Sequence, residues 1–180
     1  MFKAWLVRNV PHLIELAALP FDSVTHERYF ATIGWPVTRE KWRPENCLKV
    51  HFNDIDRGLV AVCKESETCI AIGLFALTGE PATYDFAIAS RIEFDKAFDE
   101  ILAGIMPLLP TTPAKGTYQS QFDDRAYNYV YWGFAQAFIT LVQHYEGDGN
   151  YGHDANLDLC IVPRLGTDYL VCPLETNILF

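Results

Sequence analysis

The chain has 180 residues, half of them hydrophobic and 14% aromatic, which is enough apolar material for one core without disulfides or a metal. Its formal net charge is −9 at pH 7. Nucleic acid is therefore not expected as a direct partner, because phosphate binding depends on Lys and Arg. Residues 1–79 hold nine acids and nine bases, whereas residues 80–180 hold fourteen acids and five bases. This asymmetry fits attraction of a basic partner, and it fits solubility alone equally well.

A cytoplasmic location is expected, because the sequence shows neither a signal peptide nor a membrane span. Arg8 interrupts the apolar run at the N-terminus, and no small-residue cleavage site follows it. The longest apolar stretch, Tyr129 to Val142, contains Gln136 and is shorter than the roughly 20 residues that a spanning helix needs. We therefore expect no association with a membrane.

Five cysteines without a CxxC pair predict buried, reduced thiols. Cys63 and Cys69 could still face each other across a hairpin, and the sequence leaves a disulfide between them open. The chain shows no internal repeat with a period of 20 to 50 residues and no linker-like stretch. Residues 1–180 are therefore predicted to form one domain.

The N-terminal part of the chain predicts helices. The apolar residues of 13–19 suit a short buried helix after Pro11. Residues 21–33 suit a second helix, which Asp22 or Ser23 can cap.

Strands are predicted in the middle of the chain. Apolar and polar residues alternate over 48–53, which is typical of a half-buried strand. Two β-branched runs, 58–63 and 69–77, are joined by a polar turn and predict a hairpin. Residues 84–89 are predicted as a further strand.

Two helices are predicted next. Ser90-Arg-Ile-Glu93 matches a capping box, and the apolar spacing after it predicts an amphipathic helix that ends near Pro107. A second helix, apolar on most sides, is predicted from Asp123 or Asp124 to about Tyr145, although the residues of 127–132 are types that favour strands.

Two closing strands, 157–162 and 169–172, complete the pattern. Strands and helices do not alternate strictly along the chain. The order therefore predicts an α+β fold, in which a mostly antiparallel sheet packs against two or three helices.

The segment from His144 to Asp158 is the part of the sequence richest in chemical groups. It combines two histidines and four carboxylates with glycines, and these ligand types suit Zn, Mn or Fe in a hydrolase. Such a metal or acid/base site would use His144, Glu146, Asp148, His153 and Asp154. However, the segment has neither an HExxH pattern nor a calcium-loop layout, and Gly, Asn and Asp are also what a solvated turn requires. The turn interpretation is favoured, and no metal is expected.

Other catalytic motifs give little support for an enzyme. The chain has no GxSxG elbow, and a Cys–His dyad would need a pairing in space that the sequence does not define. Gly147, Gly149 and Gly152 have the spacing G-x-G-x-x-G, but that motif needs a strand before it and a helix after it, the reverse of the predicted order. No cofactor is expected, and the sequence favours a binding protein over an enzyme.

The same segment fits a protein-binding surface. Its four acids have no Lys or Arg among them, and the tyrosines beside them could anchor a partner. Electrostatic complementarity accelerates association with a basic protein and selects it. The residues predicted to bind the partner are Tyr145, Glu146, Asp148, Tyr151, His153, Asp154 and Asp158.

We therefore expect an acidic cytoplasmic protein that engages or neutralises a basic partner protein. Bacterial immunity proteins, which inhibit nuclease toxins, are also small, acidic chains without motifs, so a toxin is one such partner. This likeness is one of type, and no shared motif carries it. The metal-dependent or acid/base hydrolase remains the alternative, and a homodimer that buries the apolar residues 178–180 remains open.

Overall fold

The structure is a computed structural model that describes residues 2–20, 22–40, 46–50, 59–63, 68–79, 84–119, 126–148 and 152–164. These ranges contain three α-helices and eight strands. The helices are α1 (Phe2–Ala18), α2 (Ser23–Thr32) and α3 (Tyr84–Ile105), the last followed by a 3-10 turn (Met106–Leu108). The strands are β1 (Val37–Glu40), β2 (Asn46–Val50), β3 (Leu59–Cys63), β4 (Thr68–Gly79), β5 (Ala114–Gln119), β6 (Ala126–Gly133), β7 (Ala137–Asp148) and β8 (Gly152–Pro163).

The strands form one sheet in the order β1-β2-β3-β4-β8-β7-β6-β5, and every described pair is antiparallel. Helix α1 packs against β7 and β8 in the middle of the sheet, and α3 packs against α1, β4 and β7. The α+β class with a mostly antiparallel sheet is therefore confirmed. None of the described helices has the length and apolar character needed to cross a membrane.

The main core lies between α1, α3 and one face of the sheet. Leu13 and Leu16 of α1 and Ile105 of α3 are fully buried there against strand residues such as Leu141 and Leu159. A second, smaller cluster lies on the opposite face, where four side chains are at most 4% exposed. They are Tyr129, Val142, Cys160 and Val162.

The prediction of a helix from Asp123 or Asp124 to Tyr145 is wrong. Residues 126–133 and 137–148 are instead β6 and β7, joined by a turn in which the Phe134 amide donates to the Ala137 carbonyl at 2.9 Å. The middle of this hairpin is buried on both faces, since alternate residues enter the two clusters. A strand that is buried on both faces has a continuous apolar sequence, which periodicity alone does not distinguish from a buried helix.

The prediction of a strand over 84–89 is also wrong, because α3 begins at Tyr84 and includes these residues. The capping-box sequence at Ser90 therefore lies inside the helix and does not start it. Ala87 and Ala89 have high helix propensity, which supports the longer helix. The predicted apolar face is confirmed by Phe94 and Phe98, which are at most 4% exposed.

The first helix is longer than predicted, because it begins at Phe2 and continues through Pro11. Pro11 has no amide to bond the Val7 carbonyl one turn earlier, and both residues are exposed. Water can therefore satisfy that carbonyl. The second predicted helix is confirmed, and the Asp22 carboxylate caps it by accepting from the Thr25 amide at 2.8 Å.

The predicted hairpin of β3 and β4 is confirmed, and its register shows how Cys63 and Cys69 lie relative to each other. Cys63 pairs with Thr68, and Cys69 pairs with Val62, so the two cysteines are not cross-strand partners. The predicted strand over 169–172 lies outside the described residues.

Gly116 of β5 is the cross-strand partner of Tyr129, whose ring lies over it. A Cβ on Gly116 would overlap the Tyr129 hydroxyl, and that ring is only 4% exposed. The ring has little room to move, because it packs in the second cluster.

We expect Gly116→Ala to lower the free energy of unfolding by about 1 to 3 kcal/mol, the usual cost of overpacking a filled site. Urea denaturation measures the change. Thr117→Ala, at the exposed next position of β5, is the matched control and should cost much less. Equal stability of the two variants would show that Tyr129 does not pack on Gly116.

Candidate functional site

The acidic segment singled out in the sequence forms the end of a long β-hairpin. The ladder between β7 and β8 runs without a shift from Ala137–Pro163 to Asp148–Gly152. The predicted helix end and glycine-rich loop are thus replaced by paired strands as far as Asp148. Of the predicted binding residues, Tyr151 lies outside the described part of the chain.

The register divides the predicted binding residues between the two faces of the sheet. Glu146 pairs with Asp154, Asp148 with Gly152, and Asp158 with Val142. Because successive strand positions alternate between faces, these four acidic positions share the face of Val142, which is the face away from α1 and α3. Tyr145 and His153 occupy positions of the opposite face.

Three of the four acidic positions lie close together, and the fourth lies apart. Asp158 is four residues from Asp154 along β8, a separation of about 13 Å, and it is half-buried beside Val142. Glu146 and Asp154 are direct cross-strand partners, and Asp148 lies two positions farther along β7. We name Glu146, Asp148 and Asp154 the acidic row.

The two neighbours of Asp154 across the ladders carry no positive charge. They are Glu146 on β7 and Thr78 on β4. Like charges placed directly opposite each other in a sheet destabilise the pairing. Glu146 and Asp154 are therefore opposed on neighbouring strands without a basic residue at either ladder position beside Asp154.

The ladder between β6 and β7 stops beside this region, whereas the ladder between β7 and β8 continues. The described pairs of β6 and β7 run from Gly133–Phe138 to Tyr129–Val142 and go no farther. The next residue of β7 is Gln143, whose side chain is completely buried. The two strands separate at this side chain.

Gln143 takes up the hydrogen bonds that the ladder would otherwise make at this point. Its Oε1 accepts from the Asn128 amide at 2.9 Å, and its backbone carbonyl accepts from the Tyr118 hydroxyl at 2.5 Å. Its Nε2 donates to Asp95 Oδ1 at 2.8 Å. The side chain and backbone carbonyl of Gln143 together thus connect β7 with β5, β6 and α3.

Arg91 completes this network from α3. Its Nε lies 2.8 and 2.9 Å from the two carboxylate oxygens of Asp95, and its Nη2 donates to the Ala126 carbonyl at 2.9 Å. The guanidinium also lies 4.8 Å from the centre of the Tyr127 ring. The start of β6 is therefore held towards α3 and away from β7.

The sequence does not predict this polar network. Arg91 and Asp95 have the i,i+4 spacing of a helix pair, and Gln143 is an amide at the end of an apolar run. These are the only local signals, and neither indicates that the three residues meet.

The side chains that the structure describes also form a polar cluster between α1 and α2. They include no group of three His, Cys, Asp or Glu residues that could hold a metal. His12, Glu15 and Tyr29 do meet between α1 and α2, with the Tyr29 hydroxyl bonded to Glu15 and 3.1 Å from His12 Nδ1. Burial, followed by the Glu15 contact, raises the pKa of Tyr29, so the phenol stays protonated and is a poor nucleophile. This cluster ties α2 to α1.

The chain matches no protein-family model, no curated protein and no solved structure.

We expect Gln143→Leu to lower the free energy of unfolding by about 1 to 3 kcal/mol, because the variant leaves buried polar groups without their partner. Chemical denaturation measures the change. Gln136→Leu, which alters an exposed turn residue, is the control and should change stability little. A Gln143→Leu variant as stable as the wild-type protein would show that the hydrogen bonds of Gln143 do not stabilise the fold.

Proposed function

We propose that the chain is an acidic binding protein that holds or neutralises a basic partner protein through the acidic row. The observation that carries the proposal is the register of β7 and β8, which makes Glu146 and Asp154 cross-strand partners. Their mutual repulsion in the unbound protein would be relieved by Lys or Arg side chains of a partner.

The charge of the whole chain supports the same proposal. The net charge of −9 arises entirely from residues 80–180, which include the acidic row. A field of one sign steers an oppositely charged protein towards the surface and raises its association rate. An inhibitor or immunity protein that acts on a toxin in the cytoplasm would use both this long-range attraction and the relief of repulsion within the acidic row.

Neutralising the acidic row tests the proposal. In the triple variant Glu146→Gln, Asp148→Asn, Asp154→Asn, we expect loss of basic proteins that the wild-type chain captures from a lysate. We also expect the affinity for a captured protein to lose most of its salt dependence, because exposed charge pairs are screened by salt.

A second triple variant, Glu93→Gln, Asp99→Asn, Glu100→Gln, removes the same charge from exposed positions of α3 and is the matched control. It should retain capture. Equal loss in both variants would show that only the net charge matters, and no loss in either would contradict the proposal.

A metal-dependent or acid/base hydrolase is the second candidate. The register of β7 and β8 places some, but not all, of its predicted residues on one face of the sheet. His144 shares the face of the acidic row, since it pairs with Asn156 two positions from the Glu146–Asp154 pair. His153 occupies the opposite face, so a site on one face would contain His144, Glu146 and Asp154 without it.

Thermal denaturation of metal-free protein separates the two candidates. A ligand that binds the folded state raises its melting temperature. Under the binding-protein proposal, we expect Zn, Mn and Mg to leave the melting temperature unchanged. An increase that is lost in His144→Ala would instead support the hydrolase.

A further inference from the structure

The backbone groups of β7 point alternately to its two neighbours, and two hydrogen bonds identify which residues point where. The Ala137 carbonyl accepts from Phe134 on the β6 side, and the Gln136 carbonyl accepts from Arg164 on the β8 side, both at 2.9 Å. In an antiparallel ladder, each residue directs both its amide and its carbonyl to the same neighbour, and the direction alternates. Odd-numbered residues of β7 therefore point to β6, and even-numbered residues point to β8.

The far end of β7 follows the same alternation. The Gln143 carbonyl accepts from Tyr118, which agrees with its direction towards β6 and β5. Tyr145 and Gly147 then direct their amides and carbonyls to the side that β6 has left. Within the described residues, no strand pairs with β7 on that side beyond Val142.

Side-chain hydrogen bonds hold the start of β6 apart from β7. The Asn128 amide, which would otherwise extend the ladder, is bonded to the Gln143 side chain, and Arg91 holds the Ala126 carbonyl. A stretch of strand with one unpaired edge accepts an extended peptide, because main-chain hydrogen bonds complete the ladder.

We propose that the edge of β7 at Tyr145 and Gly147 binds an extended, lysine- or arginine-containing segment of the partner as an added strand. The inference rests on the proposed function and specifies the form of its partner. Charge complementarity selects a basic segment, since Glu146 and Asp148 alternate with these two residues and Asp154 lies on the next strand. Main-chain pairing would supply register, and the acidic row would select the basic side chains.

The test uses a short synthetic peptide in which Lys and Thr alternate, and a second peptide with the same sequence whose alternate backbone nitrogens are methylated. Both carry the same charge, but the second cannot donate along one edge. By titration calorimetry, we expect the unmethylated peptide to bind and the methylated one to bind about tenfold more weakly or worse, from the loss of two main-chain hydrogen bonds.

Gly147→Pro provides the matching change in the protein. Proline removes the amide that points to the β6 side, where no described strand pairs with this part of β7, and it leaves the β8 ladder intact, so we expect a similar loss of peptide binding. Gly147→Ala retains the amide and is the control. If the proline variant does not fold, the two peptides still decide the question on the wild-type protein.

The outcomes separate this inference from the proposed function. Equal binding of the two peptides, lost only when the acidic row is neutralised, overturns strand addition and leaves the acidic binding surface standing. Failure of the unmethylated peptide to bind also overturns strand addition, and the capture experiment with the two triple variants then decides the proposed function alone.

Discussion

The buried side chain of Gln143 determines where the sheet divides. A buried amide must have its hydrogen bonds satisfied, and Gln143 satisfies its own by replacing a strand partner of Asn128 and by bonding Asp95 on α3. On the core side of this residue, β6 and β7 are paired and apolar. Beyond it, the Ala126 carbonyl of β6 is bonded to Arg91 of α3, and among the described residues β7 is paired with β8 alone. The hydrogen bonds that form the polar network are therefore also the ones that separate β6 from β7.

The acidic row lies on the far side of this division from the core. The acidic row lies on the part of β7 and β8 that extends beyond the polar network, about 10 Å along the strand from Gln143 to Glu146. Asp95 of α3 forms an ion pair with Arg91, whereas the ladder neighbours of Asp154 carry no positive charge. The proposed function and the proposed strand addition depend on the same short length of β7.

Local sequence predicted those parts of the fold that depend on local physics. The cap at Asp22 and the hairpin of β3 and β4 are confirmed, because capping and strand alternation act over a few residues. The sequence of the β6–β7 hairpin predicts a helix instead, because burial on both faces removes the alternation that identifies a strand. The acidic segment was evident from composition, but its division between two faces depends on register. The meeting of Gln143 with Asp95 joins residues 48 positions apart, and no local pattern encodes it.

Amide hydrogen exchange along β7, followed by NMR, tests the central claim most directly. If β6 leaves the ladder at Gln143, the amides of His144 and Glu146 are protected by β8, and those of Tyr145 and Gly147 exchange rapidly. Uniform protection from His144 to Gly147 would contradict this account, because it would show that β7 is paired on both sides and has no open edge for a partner.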